Sequence, residues 1–216
     1  MESLDLTLAK KLLKINAIML QPDSPFMWAN GWNAPIYNDN KITLSYPDVR
    51  RFVKVELSRL IMENFPQAQV VASVAMGSIA MGALVADTLG LPFVYVRDMP
   101  KDHGLENLIE GDFKPGQKVV LIEDLVSTGS NAIKALHEVQ LAGGDVLGMV
   151  AMFTYEFQKA LKAFSEENLN LITLTNYSAM IEAALATNYI QDSDIDNLDL
   201  WHEDPESWTP TSLNID

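Results

Sequence analysis

Cysteine is absent from this chain of 216 residues. Without a thiol, the protein has no cysteine nucleophile, no thiolate metal ligand and no disulfide switch. A chain of this length buries roughly 70% of the surface that its unfolded form exposes, so it needs no covalent cross-link to hold a core. The absence of cysteine suits a reducing compartment, and we expect a cytoplasmic location.

Positive charge is scarce. The chain has 15 lysine and arginine residues against 29 aspartate and glutamate residues, and its formal net charge at pH 7 is −14. Nucleic-acid backbones and anionic membranes attract proteins of the opposite sign. We therefore expect no nucleic-acid partner, and any phosphate that the protein binds must be held by a local arrangement of donors.

Long hydrophobic runs are also missing. The uncharged stretch from residue 70 to 86 has 17 residues and contains two glycines, whereas a bilayer-spanning helix needs about 20 apolar residues. The first 20 residues place three lysines within their apolar pattern, which the apolar core of a secretory signal would not tolerate. We expect no membrane partner, and we interpret the N-terminal stretch as an amphipathic helix.

Acidic residues are concentrated at the C-terminus. Residues 191–216 hold 8 of the 29 acids and none of the 15 bases. Such a segment is typical of a solvated terminal extension, although Trp201 and Trp208 could dock it against the rest of the protein. We interpret it as an acidic tail without a chemical role.

Five short apolar runs bounded by turn residues recur along the chain, with helical patterns between most of them. Their continuous apolar character predicts strands buried on both faces. Strands alternating with helices predict an α/β fold with a parallel five-strand central sheet flanked by helices, whose ligands bind at the carboxyl ends of the strands. The predicted strands are residues 70–74, 92–96, 118–122, 146–153 and 170–175.

Two segments break this rhythm. Residues 21–46 are rich in proline and aromatic residues without helical or strand periodicity, and we call them the aromatic flap. The connection over residues 97–117 is far longer than the two to six residues usual in α/β units, which indicates a functional or a disordered loop. The predicted organisation is one domain over residues 1–190, with a small irregular hood mainly from residues 1–46 and a core from residues 47–190.

The segment KVVLIEDLVSTGSNAIKAL, residues 118–136, carries the strongest chemical signal. An apolar strand precedes Glu123 and Asp124, and a turn of small residues from Ser127 to Ser130 leads into a helix. The N–H groups of such a turn and of the first helical turn lack intrahelical partners, so with the helix dipole they form a phosphate cradle without net positive charge. Adjacent carboxylates suit ribose hydroxyls or a hydrated Mg²⁺. The P-loop and dinucleotide patterns are both absent.

The stretch VVLIEDLVSTGSNA resembles the phosphoribosyl-pyrophosphate (PRPP) signature of type I phosphoribosyltransferases. The segments WANGWNAPIYNDNKITLSYP, FVYVRDMPKDHGLENLIEGD and TLTNYSAMIEAALATNYI are similar to orotate phosphoribosyltransferase, so the resemblance spans about residues 25–190. It implies the type I phosphoribosyltransferase fold. It also implies transfer of the phosphoribosyl group of PRPP to orotate, giving orotidine 5′-monophosphate and pyrophosphate in de novo pyrimidine biosynthesis.

The resemblance implies roles for individual residues. Lys101 meets the pyrophosphate as it leaves, and Glu123 and Asp124 bind the ribose hydroxyls. The residues implied as catalytic are Lys101, His103 and Asp124. The implied PRPP contacts are Arg97, Lys101, His103, Glu123, Asp124, Leu125, Val126, Ser127, Thr128, Gly129, Ser130 and Asn131. The implied orotate contacts are Ser127, Tyr37 and Asn38.

The resemblance further implies Mg²⁺ as the cofactor, held mainly through PRPP with no direct protein ligand assigned. It implies a homodimer in which the loop of one subunit closes over PRPP bound in the other. Several basic residues found in some family members are replaced here, for example by Asp98 after Arg97. The partner of the orotate carboxylate is therefore not assigned, with Lys41 as a candidate.

Two alternatives to orotate transfer stay open. The protein could be a phosphoribosyltransferase for another nucleobase, because the usual cationic partners of orotate are missing. It could also be a non-catalytic regulator that binds PRPP. The acidic net charge and the presence of Lys101 and His103 count against a regulator, since such a protein usually contacts nucleic acid.

Overall fold

The computed structural model describes residues 2–28, 31–98 and 108–209. The chain divides into a hood unit, Met1–Thr43 with Thr175–Asp216, and a core unit, Leu44–Leu174. The helices are α1 (Leu4–Lys14), α2 (Pro47–Asn64), α3 (Ile79–Leu89), α4 (Ser130–Leu141), α5 (Gln158–Glu166), α6 (Tyr177–Ala186) and α7 (Ile195–Glu203). The strands are β1 (Ile18–Leu20), β2 (Phe26–Met27), β3 (Asn33–Ala34), β4 (Ile36–Asn38), β5 (Val70–Val74), β6 (Phe93–Val96), β7 (Ile109–Glu110), β8 (Lys118–Val126), β9 (Asp145–Thr154) and β10 (Leu171–Asn176).

The core unit is built on a sheet with the strand order β10-β9-β8-β5-β6-β7. β5 pairs in parallel with β6 and with β8, and β8 pairs in parallel with β9. β5 is buried at every position, as expected for a strand covered on both faces. The predicted α/β fold with a mainly parallel central sheet is confirmed.

Helices cover this sheet. Buried side chains of α4 and α5 belong to the same apolar cluster as those of β5, β8 and β9. α2 packs against α3 and β9, while α3 packs against β5 and β6. No helix in the described ranges has both the length and the apolar character needed to cross a bilayer.

The sheet has six strands, not the five expected. The additional strand, β7, has two residues and pairs antiparallel with β6 through Tyr95–Glu110 and Val96–Ile109. Two residues are too few to show a strand period, so the sequence pattern does not reveal β7. Lys101 and His103 lie in this connection, outside the described residues.

β8 extends to Val126, beyond its predicted end at Ile122. The ten-residue strand β9 provides main-chain partners for the whole extension, out to the pair Val126–Thr154. The pairing of β8 with β5 stops earlier, at Ile122–Ser73. Glu123 and Asp124 therefore lie on the part of β8 that pairs with β9 and no longer pairs with β5.

The hood unit combines both ends of the chain. α1 packs against α6, β1 pairs antiparallel with β4, and β2 pairs antiparallel with β3. The aromatic flap thus contains three short strands where none was expected, because strands of two or three residues leave no readable period. The hood unit also includes residues from Thr175 onward, whereas the expected hood came mainly from residues 1–46.

The acidic C-terminal segment is not a solvated extension throughout. It forms α7, and the Trp201 side chain has no exposed surface. The Trp201 ring contacts the rings of Trp28 and Tyr177, with centroids 5.6 and 5.8 Å away. Burial of large aromatic side chains explains why a segment rich in acids still docks, since its acids stay on the solvent side.

Leu121 in β8 is fully buried, whereas Leu141 at the end of α4 is 81% exposed. Leu121→Ala should lower the free energy of unfolding by about 2–5 kcal/mol, because it opens a cavity in a central strand. Leu141→Ala should change it by less than about 0.5 kcal/mol. Urea unfolding followed by circular dichroism measures both, and equal losses would contradict the burial of β8.

Candidate functional site

The turn after β8 and the start of α4 form an open concavity with a volume of about 100 Å³. It lies at the carboxyl end of a parallel strand, where ligands of α/β sheets bind. The structure therefore brings together the PRPP residues predicted from 123 to 131, with the exception of Asp124. The lining residues are Glu123, Leu125, Val126, Ser127, Thr128, Gly129, Ser130, Asn131 and Ala132.

Gly129 shapes the turn. Its φ is +82°, and a Cβ atom there would lie 3.1 Å from the ring of Phe164, so both the backbone conformation and the space favour glycine. Gly129 is also the N-cap of α4, and no side chain caps the first helical turn. The N–H groups of this turn therefore face the concavity without a competing side-chain acceptor at the N-cap.

Hydroxyl groups add further donors at the rim. The oxygens of Thr128 Oγ1 and Ser130 Oγ are 3.1 Å apart and share an exposed hydrogen bond. Ser127 is half-buried beside them. Because a hydroxyl rotates to donate to an incoming oxygen, these groups can complete a set of hydrogen bonds around an anion.

Glu123 is 6% exposed, and its Oε1 accepts a hydrogen bond from the Asp124 N–H at 3.1 Å. Burial raises the pKa of the Glu123 carboxyl well above its ordinary value, and the charge of Asp124 raises it further. A buried carboxylate of this kind is stabilised by a ligand that donates hydrogen bonds to it.

Asp124 follows Glu123 on β8, and its carboxyl group is close enough to form a side-chain hydrogen bond with the Glu123 carboxyl, which also raises the Glu123 pKa. It lies against the loop between β5 and α3, where a Cβ atom at Gly77 would be 2.3 Å from Asp124 Oδ2. Ser78 holds that loop in place, since its Oγ is hydrogen-bonded to the carbonyl oxygens of Val74 at 2.6 Å and Ile122 at 3.0 Å. Only glycine at position 77 permits this close approach.

The loop of residues 75–78 is a part of the site that sequence reasoning missed. The available signal was its position, because a turn that follows one parallel strand lies at the same edge as the turn that follows the neighbouring strand. A second, larger concavity of about 460 Å³ begins at this loop. Its lining residues are Ala75, Met76, Ile79, Tyr95, Arg97 and Asp98.

Arg97 lines this second concavity and not the first. Its Nη1 is 3.5 Å from Oε1 of Glu110, so the guanidinium is paired while still partly exposed. Arg97 and the turn at Gly129, both predicted PRPP contacts, thus line different concavities, although Lys134 of α4 donates a hydrogen bond to the carbonyl of Asp98, the residue after Arg97. Lys101 and His103, the other predicted PRPP contacts of the loop, lie outside the described residues.

Tyr37 and Asn38 belong to β4 of the hood unit and do not line either concavity. Tyr37 is 40% exposed. The side-chain nitrogen and oxygen of Asn38 are buried, and neither has a hydrogen-bond partner within the described part of the chain. An amide in that state costs free energy until a ligand or water pairs with it. Lys41 forms an ion pair with Asp39 at 2.7 Å.

Comparison with known proteins identifies the family. An orotate phosphoribosyltransferase of Phocaeicola vulgatus is 56% identical over 208 residues, which cover 96% of this chain and 98% of the relative. One from Porphyromonas gingivalis is 52% identical over 208 residues, covering 96% and 99%. The chain belongs to the orotate phosphoribosyltransferase family.

The solved structure of an orotate phosphoribosyltransferase from Aeropyrum pernix has a TM-score of 0.74 to this chain. The two are 22% identical, and the match covers 85% of this chain and 99% of the other. The fold is therefore that of the type I phosphoribosyltransferases, as the resemblance implied. No family model matches the chain.

The raised pKa of Glu123 makes the stability of the ligand-free protein depend on pH. The unfolded chain releases this proton near the ordinary pKa of about 4.3, whereas the folded protein retains it to higher pH. Stability is therefore lost as pH rises from about 4.3 through the folded pKa. Glu123→Gln should melt above the wild type at about pH 8, and this gain should shrink toward about pH 4.

Glu206→Gln is the matched control, because it changes an exposed carboxyl in the C-terminal segment. Thermal melting across the pH range compares the two variants with the wild type. The same pH-dependent gain in both would contradict the burial of Glu123 as its cause.

Proposed function

We propose that the chain transfers the phosphoribosyl group of PRPP to orotate, giving orotidine 5′-monophosphate and pyrophosphate in de novo UMP biosynthesis. The observation that carries this proposal is the concavity at the end of β8, where carboxylates precede an uncapped helical turn. A sugar phosphate needs both features at once: acceptors for its hydroxyls and donors for its phosphate.

The 5′-phosphate binds at the turn from Ser127 to Asn131. The N–H groups at the start of α4, the helix dipole and the hydroxyls of Thr128 and Ser130 supply donors without a fixed positive charge. The contact of Gly129 with Phe164 supports this role, because it holds the turn in shape before the ligand arrives. A preformed turn avoids the entropy cost of ordering it on binding.

The ribose hydroxyls bind the two acids. Glu123 is already desolvated, so a hydroxyl that donates to it satisfies its ionised form and lowers the pKa that burial had raised. Asp124 is positioned by the main chain at Gly77. Two adjacent carboxyl groups offer acceptors to the two neighbouring hydroxyls of a ribose.

The diphosphate of PRPP binds Arg97, together with Lys101 and His103 from the loop of the partner subunit in a homodimer. Arg97 supports this role because it is partly exposed at the carboxyl end of β6 and shares its charge with one carboxylate. Cations aimed at the departing pyrophosphate stabilise charge that develops in the transition state. Lys101, His103 and Asp124 are therefore the proposed catalytic residues.

Orotate contacts Ser127, Tyr37 and Asn38. The buried amide of Asn38 supports this assignment, because it offers one acceptor and two donors to a ring that carries amide-like edges. Lys41 is a weaker candidate for binding the carboxylate of orotate, since it already forms an ion pair with Asp39.

The cytoplasmic location expected from the sequence stays a prediction.

Mg²⁺, when bound, neutralises the diphosphate and makes it a better leaving group. Among the described residues, no group of three or more histidine, aspartate and glutamate side chains could hold a metal. The two adjacent carboxylates of Glu123 and Asp124 fit water-mediated contacts to a metal carried by PRPP better than a protein cage.

In the reaction, the C1′–O bond to pyrophosphate breaks and its electron pair leaves with the pyrophosphate. A ring nitrogen of orotate forms the new bond to C1′ from the opposite face of the sugar, and the proton of that N–H passes to the departing pyrophosphate or to water. The protein forms no covalent bond, so its contribution is to align the substrates, stabilise the leaving group and exclude water that would hydrolyse PRPP.

A panel of bases tests the substrate. Orotate, uracil, adenine and hypoxanthine are each offered with PRPP and Mg²⁺, and pyrophosphate release is measured. We expect release that depends on orotate. Release with another base alone would support a different phosphoribosyltransferase, and PRPP binding without turnover on any base would support a regulator.

Gly77→Ala tests the role of Asp124. The added methyl group would overlap the Asp124 carboxylate, so we expect kcat/KM for PRPP to fall roughly tenfold or more, which corresponds to about 1.4 kcal/mol. In the Asp124→Ala background, Gly77→Ala should cost little further activity, because the group it displaces is gone. If Gly77→Ala lowered kcat/KM for PRPP by the same factor with and without Asp124→Ala, its effect would not act through Asp124.

A further inference from the structure

α7 docks on the hood unit through one large aromatic residue. Trp201 is fully buried, and its ring meets the ring of Trp28 edge-on, with centroids 5.6 Å apart and planes at 80°. On its other side the Trp201 ring contacts Tyr177, whose hydroxyl donates to the Leu198 carbonyl at 3.0 Å. The tail is thus fixed to α6 on one side and to the aromatic flap on the other.

Two side chains of α7 donate hydrogen bonds to the main chain of the flap. Trp201 Nε1 donates to the carbonyl of Asn33, and Asn197 Nδ2 donates to the carbonyl of Pro22, each at 3.2 Å. Asn33 is the first residue of β3, whereas Pro22 lies four residues before β2. The helix therefore holds one position in the hairpin and one in the segment that leads into it.

The same contacts continue to β4. Trp28, which stacks edge-on against Trp201, donates its Nε1 hydrogen to the carbonyl of Ile36 at 3.0 Å. Ile36 directly precedes Tyr37 and Asn38 in the chain. The buried Trp201 indole is thus linked to the two proposed orotate contacts, Tyr37 and Asn38, through the Trp28 side chain and the main chain of Ile36.

The flap has little internal support of its own. β2 and β3 have two residues each, and β4 has three. Isolated two-stranded pairs of this length are marginal in water and depend on packing against other elements. β4 has outside support from β1, which pairs with Tyr37 and Asn38, so the contacts of α7 act on the β2–β3 hairpin and reach β4 through the hydrogen bond from Trp28 to Ile36.

We infer that Trp201 is a positioning residue for the nucleobase: it anchors the aromatic flap through Asn33 and Trp28, and so sets where Tyr37 and Asn38 stand. The inference rests on the proposed function for the orotate role of those two residues. This positioning role would involve the acidic C-terminal segment in substrate selection, which its amino-acid composition does not indicate.

Trp201→Phe in the full chain tests the inference. Phenylalanine keeps a buried ring but loses the N–H that donates to Asn33, and a misplaced flap weakens binding of the base. We expect KM for orotate to rise roughly five- to tenfold, while KM for PRPP stays within about twofold. A general loss of folded protein would instead lower the apparent kcat and leave both KM values unchanged.

Thr187→Val is the matched control. It also removes one donor to a main-chain carbonyl, but that carbonyl belongs to Ala183 within α6, and neither residue is in α7 or the flap. We expect no selective change in KM for orotate. An equal rise of KM for orotate in both variants, or no rise in Trp201→Phe, would overturn the inference.

Hydrogen exchange gives a second readout that does not depend on catalysis. The amides of Gln21 and Trp28 donate to flap carbonyls at 2.7 and 2.8 Å, and they should exchange faster in Trp201→Phe than in the wild type. Amides of β8 should be unchanged. If the wild type released no pyrophosphate with orotate, the proposed function would fail, and unchanged exchange in the flap would separately refute the anchoring.

Discussion

The candidate site depends on β8, which pairs with β9 over a longer stretch than it pairs with β5. β8 pairs with both neighbours up to Ile122, and beyond that residue its pairing with β9 continues while its pairing with β5 has ended. Continued pairing with β9 keeps the backbone extended through Glu123 and Asp124, so both carboxyl groups lie at the end of the sheet. The early end of β5 makes room for the loop at Gly77, which approaches one of these carboxylates at its main chain.

This arrangement explains how a strongly acidic chain can bind a multiply charged anion. The net charge of −14 describes the long-range field, whereas the turn at Gly129 presents N–H groups and a helix dipole at close range. Burial raises the pKa of Glu123, and a hydroxyl that donates to this carboxyl would stabilise its ionised form. Eight of the 29 acids lie in residues 191–216, the segment that includes α7.

The fold and the cradle were largely predictable because their signals are local. The five long strands are continuous apolar runs, and the motif from residue 118 to 136 reads in order as strand, acids, turn and helix. The end of β8 was predicted too early, because the acids mark the end of an apolar run and not the end of main-chain pairing. That pairing depends on the length of β9, which lies elsewhere in the sequence.

Short strands and distant contacts were not predictable in the same way. β7 and the strands of the aromatic flap are two or three residues long and exist because a partner strand lies beside them. The docking of Trp201 was foreseen only as a possibility, since an indole ring in an acidic segment carries no information about the surface that receives it. The approach of Gly77 to Asp124 joins two loops that follow different strands, and no local pattern records it.

The amino-acid order alone was enough for the α/β class, the strand, turn and helix of residues 118–136 and the family, because apolar periodicity, glycine positions and motif spacing act over a few neighbouring residues. The tertiary contacts were needed for the sixth strand, for the approach of Gly77 to Asp124 and for the contacts of α7 with the flap. Each of these depends on which segments meet in space, and pairing between distant segments is set by the packing of the whole chain.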